Sequence, residues 1–553
     1  MRSSRLVHWL TLVAIAGLLF FPNLGAHSLW DMDEGVNAEC GREMLEAGTW
    51  VVPTFNWELR TAKPVLTYWL QRPAYQFFGV SEWSARLPSA LLGIGTVLLT
   101  YELGRRMFGP LTGLLGGVCL ASTIQFSVLS HAATPDAPLI FFTVLAFYLI
   151  WVGHEGDRRG FLVWPGVACG FAALAKGPVG LAFPGFVTLV YFAWNRELRR
   201  LFDHRLMWGV LLFLLTAAPW YGLVAAETRG EWPKAFFLNE NLNRATTPQE
   251  NHRGPVWFYV GCVLVLFAPW SSVIGVTLWD AIRGSRQSPP TPGGGPSTDT
   301  RACRFLLVWA TAYLVIFSAA ATKLPNYIAP LYPPLALLTA RTLVRWATGA
   351  YALPRWVMPV AVGGVALTGV GFGLGLLVAS GTLAVGGSGM RTFPGLEAWA
   401  WVGLLPVLAA GVMAWGLRAG NRPVVVGELT AAAVGLVGVI AAGPVLVVDQ
   451  FKAAKSLARD SGCVRPGEDV RLASLHYSAD SQSLVFYARR RVDILYTADQ
   501  AADFLATPRP GYLFVPAAVW EGGLAARLPT AQVVARHYDF YRHADVVAVW
   551  NGR

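Results

Sequence analysis

Residues 136–153 read DAPLIFFTVLAFYLIWVG, one Asp followed by seventeen residues without a charge. At 1.5 Å per residue such a helix is about 27 Å long, close to the roughly 30 Å hydrocarbon core of a bilayer. The same signature recurs near 8–25, 86–104, 110–128, 161–175, 178–194, 206–225, 256–279, 305–321, 328–347, 357–380, 398–417 and 424–447. The expectation is a polytopic membrane protein of about 13 spans. Composition agrees: of 553 residues, 54% are hydrophobic and 14% charged, where a soluble protein carries roughly 25% charged residues. An ordinary soluble enzyme, a disordered chain and a fibrous repeat are excluded.

The net charge of +11 would suggest nucleic acid in a soluble protein, but here it must first be located. Arg2, Arg5, Arg105, Arg106, Arg158, Arg159, the Arg196 to Arg205 cluster, Arg283 to Arg304, Arg341 to Arg355, Arg418 and Arg422 all fall in loops on one side. The short loops of the other side carry Lys176, Lys323 and Arg391. By the positive-inside rule the Arg-rich side is cytoplasmic, and an odd number of spans puts the C-terminus outside. The charge is then chiefly a topology signal. The first apolar stretch lacks a clear small-residue cleavage site and reads as an uncleaved helix. The six cysteines form no CxxC pair, and no disulfide or thiolate metal site is assigned.

Residues 1–448 are expected to form the membrane domain, with long outer loops at 26–85 and 226–255, and residues 449–553 a small α/β domain outside the membrane. In that tail Val470–Leu475, Ser483–Tyr487 and Tyr512–Val515 read as strands. Ser288 to Asp299 (SPPTPGGGPSTD) reads as a cytoplasmic linker. In the first outer loop Glu34–Ala47 and Pro64–Phe78 read as helices. Tyr68, Trp69, Tyr75, Phe77 and Phe78 of the second suit a membrane interface.

Chemistry concentrates on the outer side. Trp30-Asp31-Met32-Asp33-Glu34 places three carboxylates directly after the first span. Asp33 and Glu34 are either a helix cap and its first turn or a catalytic or cation-binding pair. Asp136, behind Thr134-Pro135, is either a favourable helix start or a second catalytic acid. Arg60 and Lys63 offer a guanidinium fork and an ammonium at headgroup depth, suited to a phosphate or to anionic lipid heads. Lys176 and Lys323 are lysines at outer span ends. They form either a second anion site, with Tyr327 nearby, or simply snorkel. Glu240, Arg244 and His252 lie in a polar loop above the same face, either solvated or part of that site. No HxxxH or HExxH spacing, Walker loop or dinucleotide fingerprint is present. No cofactor is required, and a divalent cation is left open.

Taken in order, Asp33-Glu34, Ala38-Glu39, Arg42-Glu43-Met44, Gly48-Thr49-Trp50-Val51-Val52-Pro53 and Arg60 to Pro64 resemble the first periplasmic loop of the lipid A aminoarabinose transferases. Thr134-Pro135-Asp136, Ala175-Lys176-Gly177, Asn241 to Arg244, His252 to Pro255 and Lys323 to Pro330 continue the resemblance through the membrane part. These enzymes are polyprenyl-phosphate-dependent, GT-C type glycosyltransferases related to protein O-mannosyltransferases. The family's acidic motif usually continues with Arg-Tyr, whereas this chain has Val36-Asn37.

The resemblance implies a multi-pass enzyme of the bacterial inner membrane with its site on the periplasmic face. It would move 4-amino-4-deoxy-L-arabinose from undecaprenyl phosphate to lipid A phosphates, giving resistance to polymyxin and cationic peptides. Its partners would be the lipid-linked sugar, lipid A and the bilayer, with no nucleic acid. Asp33, Glu34 and Asp136 would be catalytic, Arg60 and Lys63 would hold the donor phosphate, and Lys176, Glu240, Arg244, His252, Lys323 and Tyr327 would serve the acceptor. Competing readings are the same chemistry on a protein hydroxyl or another envelope glycan, or a transporter of lipid-linked sugar. A transporter would be expected to show paired repeats, which the sequence lacks.

Overall fold

The structure is a computed structural model. It describes residues 2–156, 158–243, 254–286, 296–384, 391–464, 469–477 and 482–552. Among the described residues seven helices are long and apolar enough to cross a membrane: Glu82–Phe108, Asp136–His154, His204–Glu227, Thr298–Ala319, Val357–Ala379, Leu396–Arg418 and Arg422–Asp449. Counting each sharply bent pair as one span raises this to nine.

The remaining apolar segments are helical but short or broken, and proline explains much of the difference from thirteen uniform spans. The expected span at 161–175 is a 3-10 turn, Arg159–Val163, followed by the 12-residue helix Pro165–Lys176. The one at 328–347 is a 3-10 segment, Pro325–Leu331, leading into Tyr332–Ala347. The one at 256–279 bends by 113° between Phe258–Leu266 and Trp270–Arg286. Pro269 sits at the bend, where its missing N–H and its ring cannot continue a helix.

The elements that lead into and out of the loop 26–85 follow in chain order. Helix α1 (Arg2–Phe20) leads into α2 (Glu34–Glu46), the two-stranded hairpin β1 (Thr54–Phe55) and β2 (Glu58–Leu59), and α3 (Leu66–Phe78). Helix α4 (Glu82–Phe108) begins at a capping box, in which Ser81 and Ser84 each accept from the other's backbone N–H. It is followed by α5 (Pro110–Ala121), α6 (Ile124–His131), α7 (Asp136–His154), α8 (Pro165–Lys176), α9 (Val179–Trp194) and α10 (His204–Glu227). The apolar stretch 110–128 is thus two helices, α5 and α6, bent by 64°.

Of the aromatics in α3, Phe77 and Phe78 are exposed. Tyr68 and Tyr75 instead turn inward, Tyr75 Oη donating to Ala38 O (3.0 Å). The helix is amphipathic as expected, but only its exposed end is free to meet lipid.

The ends of the bundle carry different chemistry. At the Arg-rich end several arginines are paired with acids: Arg301 bridges Glu155 (2.7 Å) and Glu197 (2.6 Å), and Arg341 bridges Asp280 (2.5 Å) and Asp299 (2.6 Å). Asp299, placed in the linker from sequence, therefore belongs to the helix Thr298–Ala319, which Ser297 caps. Residues 288–295 of the linker lie outside the described residues.

The C-terminal part is an α/β domain with a five-stranded sheet of order β4-β3-β5-β7-β6. Its strands are β3 (Arg471–Leu475), β4 (Val492–Leu495), β5 (Gly511–Pro516), β6 (Gln532–Asp539) and β7 (Ala544–Trp550). β3 pairs parallel with both β4 and β5, and β7 antiparallel with β5 and β6. Ser483–Tyr487, expected as a strand, lies in the helix Ser483–Ala488. A five-residue apolar run fits either element, and here it is decided by docking onto α2, where Ser483 sits against Gly35. A Cβ on Gly35 would come within 2.7 Å of the Ser483 Cα.

This domain also grips the hairpin. Asn56 and Val492 of β4 exchange two hydrogen bonds, Nδ2 to O (2.8 Å) and N to Oδ1 (2.9 Å). The C-terminal domain and the first outer loop therefore lie at the same end of the bundle, opposite the arginine networks.

Candidate active site

Asp33 occupies the N-cap position of α2, yet its side chain makes no cap bond and no hydrogen bond among the described residues. The capping reading of this residue is set aside. Its surface is open to solvent although protein atoms surround it closely. That crowding, and then the charge of Asp136, raises its pKa above the ordinary 3.8, while Lys63 and Lys176 pull it down. Four of the residues singled out in the sequence thus act on one another, although they come from three distant segments.

Glu34 is the opposite case. Its carboxylate is buried and every lone-pair direction is used: Oε1 accepts from Arg86 Nε (2.8 Å) and Ala133 N (2.7 Å), Oε2 from Arg86 Nη2 (2.7 Å) and Trp30 N (3.0 Å). Burial alone would raise its pKa, but the Arg86 charge and hydrogen bonds outweigh it and hold the group at about 2. A saturated carboxylate has nothing left to offer a substrate. Glu34 is therefore a brace that ties α2 to α4 and to the approach to α7, which corrects the direct catalytic role expected of it.

Arg86 was not singled out from sequence. Its signal is a guanidinium in the first turns of an otherwise apolar helix, on the side where cations are scarce, and such a residue demands a partner. Besides Glu34 it donates to Leu24 O (2.8 Å), His27 O (2.9 Å) and Ser28 O (3.0 Å).

Asp136 starts α7 and is buried. Its Oδ1 accepts from Lys176 Nζ (2.5 Å) and its Oδ2 from Asn326 Nδ2 (3.1 Å). Lys176 ends α8, where Gly177 takes a positive φ of 81°, and Phe236 lies close enough to exclude any side chain there. The ammonium also lies 5.4 Å from the centre of the Tyr327 ring. Asp136, Lys176, Asn326 and Tyr327 form one cluster facing Asp33. Asn326 entered the sequence reading only as part of a motif.

The other cations separate by environment. Lys63 shares the field of Asp33. Arg60 lies beside Cys40 and Tyr68 between α2 and α3, and its Nε is buried without a hydrogen-bond partner among the described residues. Lys323 departs from the expected anion site. It is buried, and its ammonium donates to Ser318 O (2.7 Å), Ala320 O (2.9 Å) and Phe317 O (3.5 Å), carbonyls at the end of the helix Thr298–Ala319. A lysine there satisfies the helix terminus and its dipole, and burial lowers its pKa.

Glu240 is half-buried in the segment Phe236–Asn243, which follows the aromatic lid over Gly177. Arg244 and His252 lie outside the described residues. Among the described residues no group of three or more His, Cys, Asp or Glu is arranged to hold a metal ion.

Residues 62–222 match the dolichyl-phosphate-mannose-protein mannosyltransferase family. The chain is 33% identical over 347 residues to an undecaprenyl phosphate-alpha-4-amino-4-deoxy-L-arabinose arabinosyl transferase of Pseudomonas aeruginosa, covering 62% of this chain and 60% of that one. It is also 33% identical over 325 residues to an uncharacterized protein of Aquifex aeolicus, covering 58% of this chain and 61% of the relative. The chain thus spans about 60% of the length of the curated relatives it matches.

Solved structures extend the likeness over nearly the whole chain. ArnT from Cupriavidus metallidurans bound to undecaprenyl phosphate superposes with a TM-score of 0.79 at 25% identity, covering 98% of this chain and 97% of that one. An oligosaccharyltransferase from Archaeoglobus fulgidus shares the fold at 12% identity and a TM-score of 0.52, covering 95% of this chain and 71% of its own. A bundle of this fold, a C-terminal α/β domain and sequence similarity through the outer loops point the same way. The chain is thus similar in fold over nearly its whole length to ArnT, and in sequence over about 60% of it to the undecaprenyl-phosphate aminoarabinose transferases.

Proposed function

We propose that this protein transfers 4-amino-4-deoxy-L-arabinose from undecaprenyl phosphate to a phosphate of lipid A on the periplasmic face of the inner membrane, and so confers resistance to polymyxin and cationic peptides. The observation that carries the reading is the Asp33 carboxylate, held without a hydrogen bond among the described residues and facing the Asp136–Lys176 pair with Lys63 alongside. The similarity to transferases that use this donor, over the segments supplying those residues, supports the sugar and carrier.

The carrier phosphate is also the leaving group. As the glycosidic bond breaks, charge builds on its oxygens, and cations placed there stabilise the transition state more than the ground state. Lys63, beside Asp33, and Arg60, with an uncommitted buried N–H, are assigned to that phosphate. Asp33 is assigned to the reacting end. It orients the acceptor or the sugar's amino group and takes a proton when the acceptor phosphate arrives protonated. Asp136 fixes Lys176, which with Tyr327 forms the floor of the acceptor side. Glu240 is assigned to the rim of that side, with Arg244 and His252 following it in sequence.

Replacing both Arg60 and Lys63 by Ala removes charge-assisted hydrogen bonds of roughly 1.5–3 kcal/mol each. The donor KM should rise by at least about tenfold, measured with purified lipid-linked sugar in proteoliposomes. An unchanged KM would remove the pair from the phosphate site.

The overall assignment is tested by mass spectrometry of lipid A from cells with and without the chain. An added aminoarabinose mass on lipid A is the expected result. The match of residues 62–222 to a protein mannosyltransferase family favours one second reading, transfer to a protein hydroxyl. Unmodified lipid A together with a glycosylated envelope protein would establish that reading instead.

A further inference from the structure

We propose that the C-terminal α/β domain is a splint for the reaction centre, positioning the Asp33 carboxylate through Asp31. The inference rests on the role given to Asp33 above.

Four consecutive residues before the Met32 turn are each held from the tail of the chain. Ser28 donates its N–H and hydroxyl to Asp449 Oδ1 (2.9 and 2.5 Å), and its carbonyl accepts from Lys452 Nζ (2.8 Å). The N–H of Leu29 donates to Tyr487 Oη (2.7 Å). Trp30 is sandwiched, with the Lys452 ammonium 4.2 Å from its ring centre and the edge-on Phe540 ring at 6.3 Å. Asp31 is tied twice, its Oδ1 accepting from Ser483 N (2.8 Å) and its N–H donating to Tyr541 Oη (3.1 Å).

The next residue, Met32, has φ of +68°, a conformation that L-residues other than Gly, Asn and Asp rarely adopt and that persists only when the surroundings enforce it. After it comes Asp33, then Glu34 fixed by Arg86, then Gly35 against Ser483. The strained turn carrying Asp33 is thus held from both sides, by the tail at residues 28–31 and at Gly35, and by Arg86 of the bundle at Ser28 O and Glu34. With no hydrogen bond of its own among the described residues, the Asp33 side chain takes its position from that backbone. Asp31 is a positioning residue, and the tail supplies its partners.

The test uses the full-length protein in proteoliposomes with undecaprenyl-phosphate-linked aminoarabinose and lipid A, comparing Asp31→Ala, Asp31→Asn and Tyr541→Phe. A misplacement on the order of 1 Å costs about 10- to 100-fold in rate. Asp31→Ala should therefore lower kcat by that factor while both KM values stay within about twofold. Asp31→Asn keeps the oxygen that accepts from Ser483 and should recover most of kcat.

Amide hydrogen exchange over residues 28–35 supplies a readout that needs no substrate. It should quicken in Asp31→Ala and in Tyr541→Phe, the latter carrying the measurement if the former fails to accumulate. Full kcat in Asp31→Ala, unchanged exchange in both variants, or an Asn variant as impaired as Ala would each overturn the splint. If the wild-type protein transfers nothing between these two lipids, the proposed substrates fail, and the exchange data still decide the splint.

Discussion

Asp33→Asn should lower transfer by about a thousandfold, within the range for losing a positioned acid–base group, in protein that accumulates as the wild type does. The separation of chemistry from folding follows from the geometry. Asp33 makes no cap bond and no side-chain hydrogen bond among the described residues, so an isosteric amide removes charge without removing a structural contact. Removing the charge also relieves the repulsion with Asp136 that helps keep the Asp33 pKa high, so the fold should be no less stable.

The pH profile of the wild type carries the same signature. A carboxylate raised by crowding and by a neighbouring acid becomes fully ionised only above the ordinary aspartate range. The acid limb of kcat should therefore lie above 3.8. Full activity in Asp33→Asn, with donor and acceptor both saturating, would remove the residue from the reaction.

The second large effect concerns stability. Glu34→Ala should strand the Arg86 guanidinium, fully buried among backbone carbonyls, and cost about 3–5 kcal/mol. That is a large share of the 5–15 kcal/mol by which most domains are stable, so the variant should accumulate poorly and melt early in detergent. Arg86→Ala should do the same by orphaning Glu34. A double replacement by apolar residues of similar volume should be milder than either single change, since neither charge is then left alone. Equal and small losses in all three would mean that the pair is not what joins α2 to α4.

Acid should act on the same locus. His27 is pushed down to about 4 by burial and the Arg86 charge, and Glu34 is held at about 2. Both groups bind protons more weakly folded than unfolded, so each contributes stability that is lost as pH falls. The loss runs from about 6.5 to 4 for His27 and from 4.5 to about 2 for Glu34. Thermal melts across those windows should show it, and in Glu34→Gln the lower window should flatten.

Much of this was legible in the order of residues because the bilayer imposes a simple code. Apolar runs of the right length and the asymmetry of arginines locate helices and their ends, and the outer acids and lysines stand out by being rare. What stayed hidden is decided by long-range contact. The sequence shows Asp33 and Glu34 as neighbours of like charge, but only Arg86, 52 residues away, makes one a brace and leaves the other available. Lys176 and Lys323 look equivalent at span ends. One faces a carboxylate and the other closes a helix terminus, because Asp136 is near the first and the carbonyls of Ser318 and Ala320 are near the second. The apolar run at 483–488 could not be read as strand or helix until its docking surface on α2 was known.

The distance along the chain between the turn at Asp31 and its holders has a consequence for biosynthesis. Ser483 and Tyr541 follow Asp31 by 452 and 510 residues. At translation rates of roughly 5–20 residues per second the turn waits on the order of a minute after its own synthesis before those partners exist. Throughout that interval the first membrane helices can already be in place while the reaction centre lacks its final geometry. The turn therefore waits for Ser483 and Tyr541 to be made, and a ribosome that stops before them leaves inserted helices with Asp31 unheld.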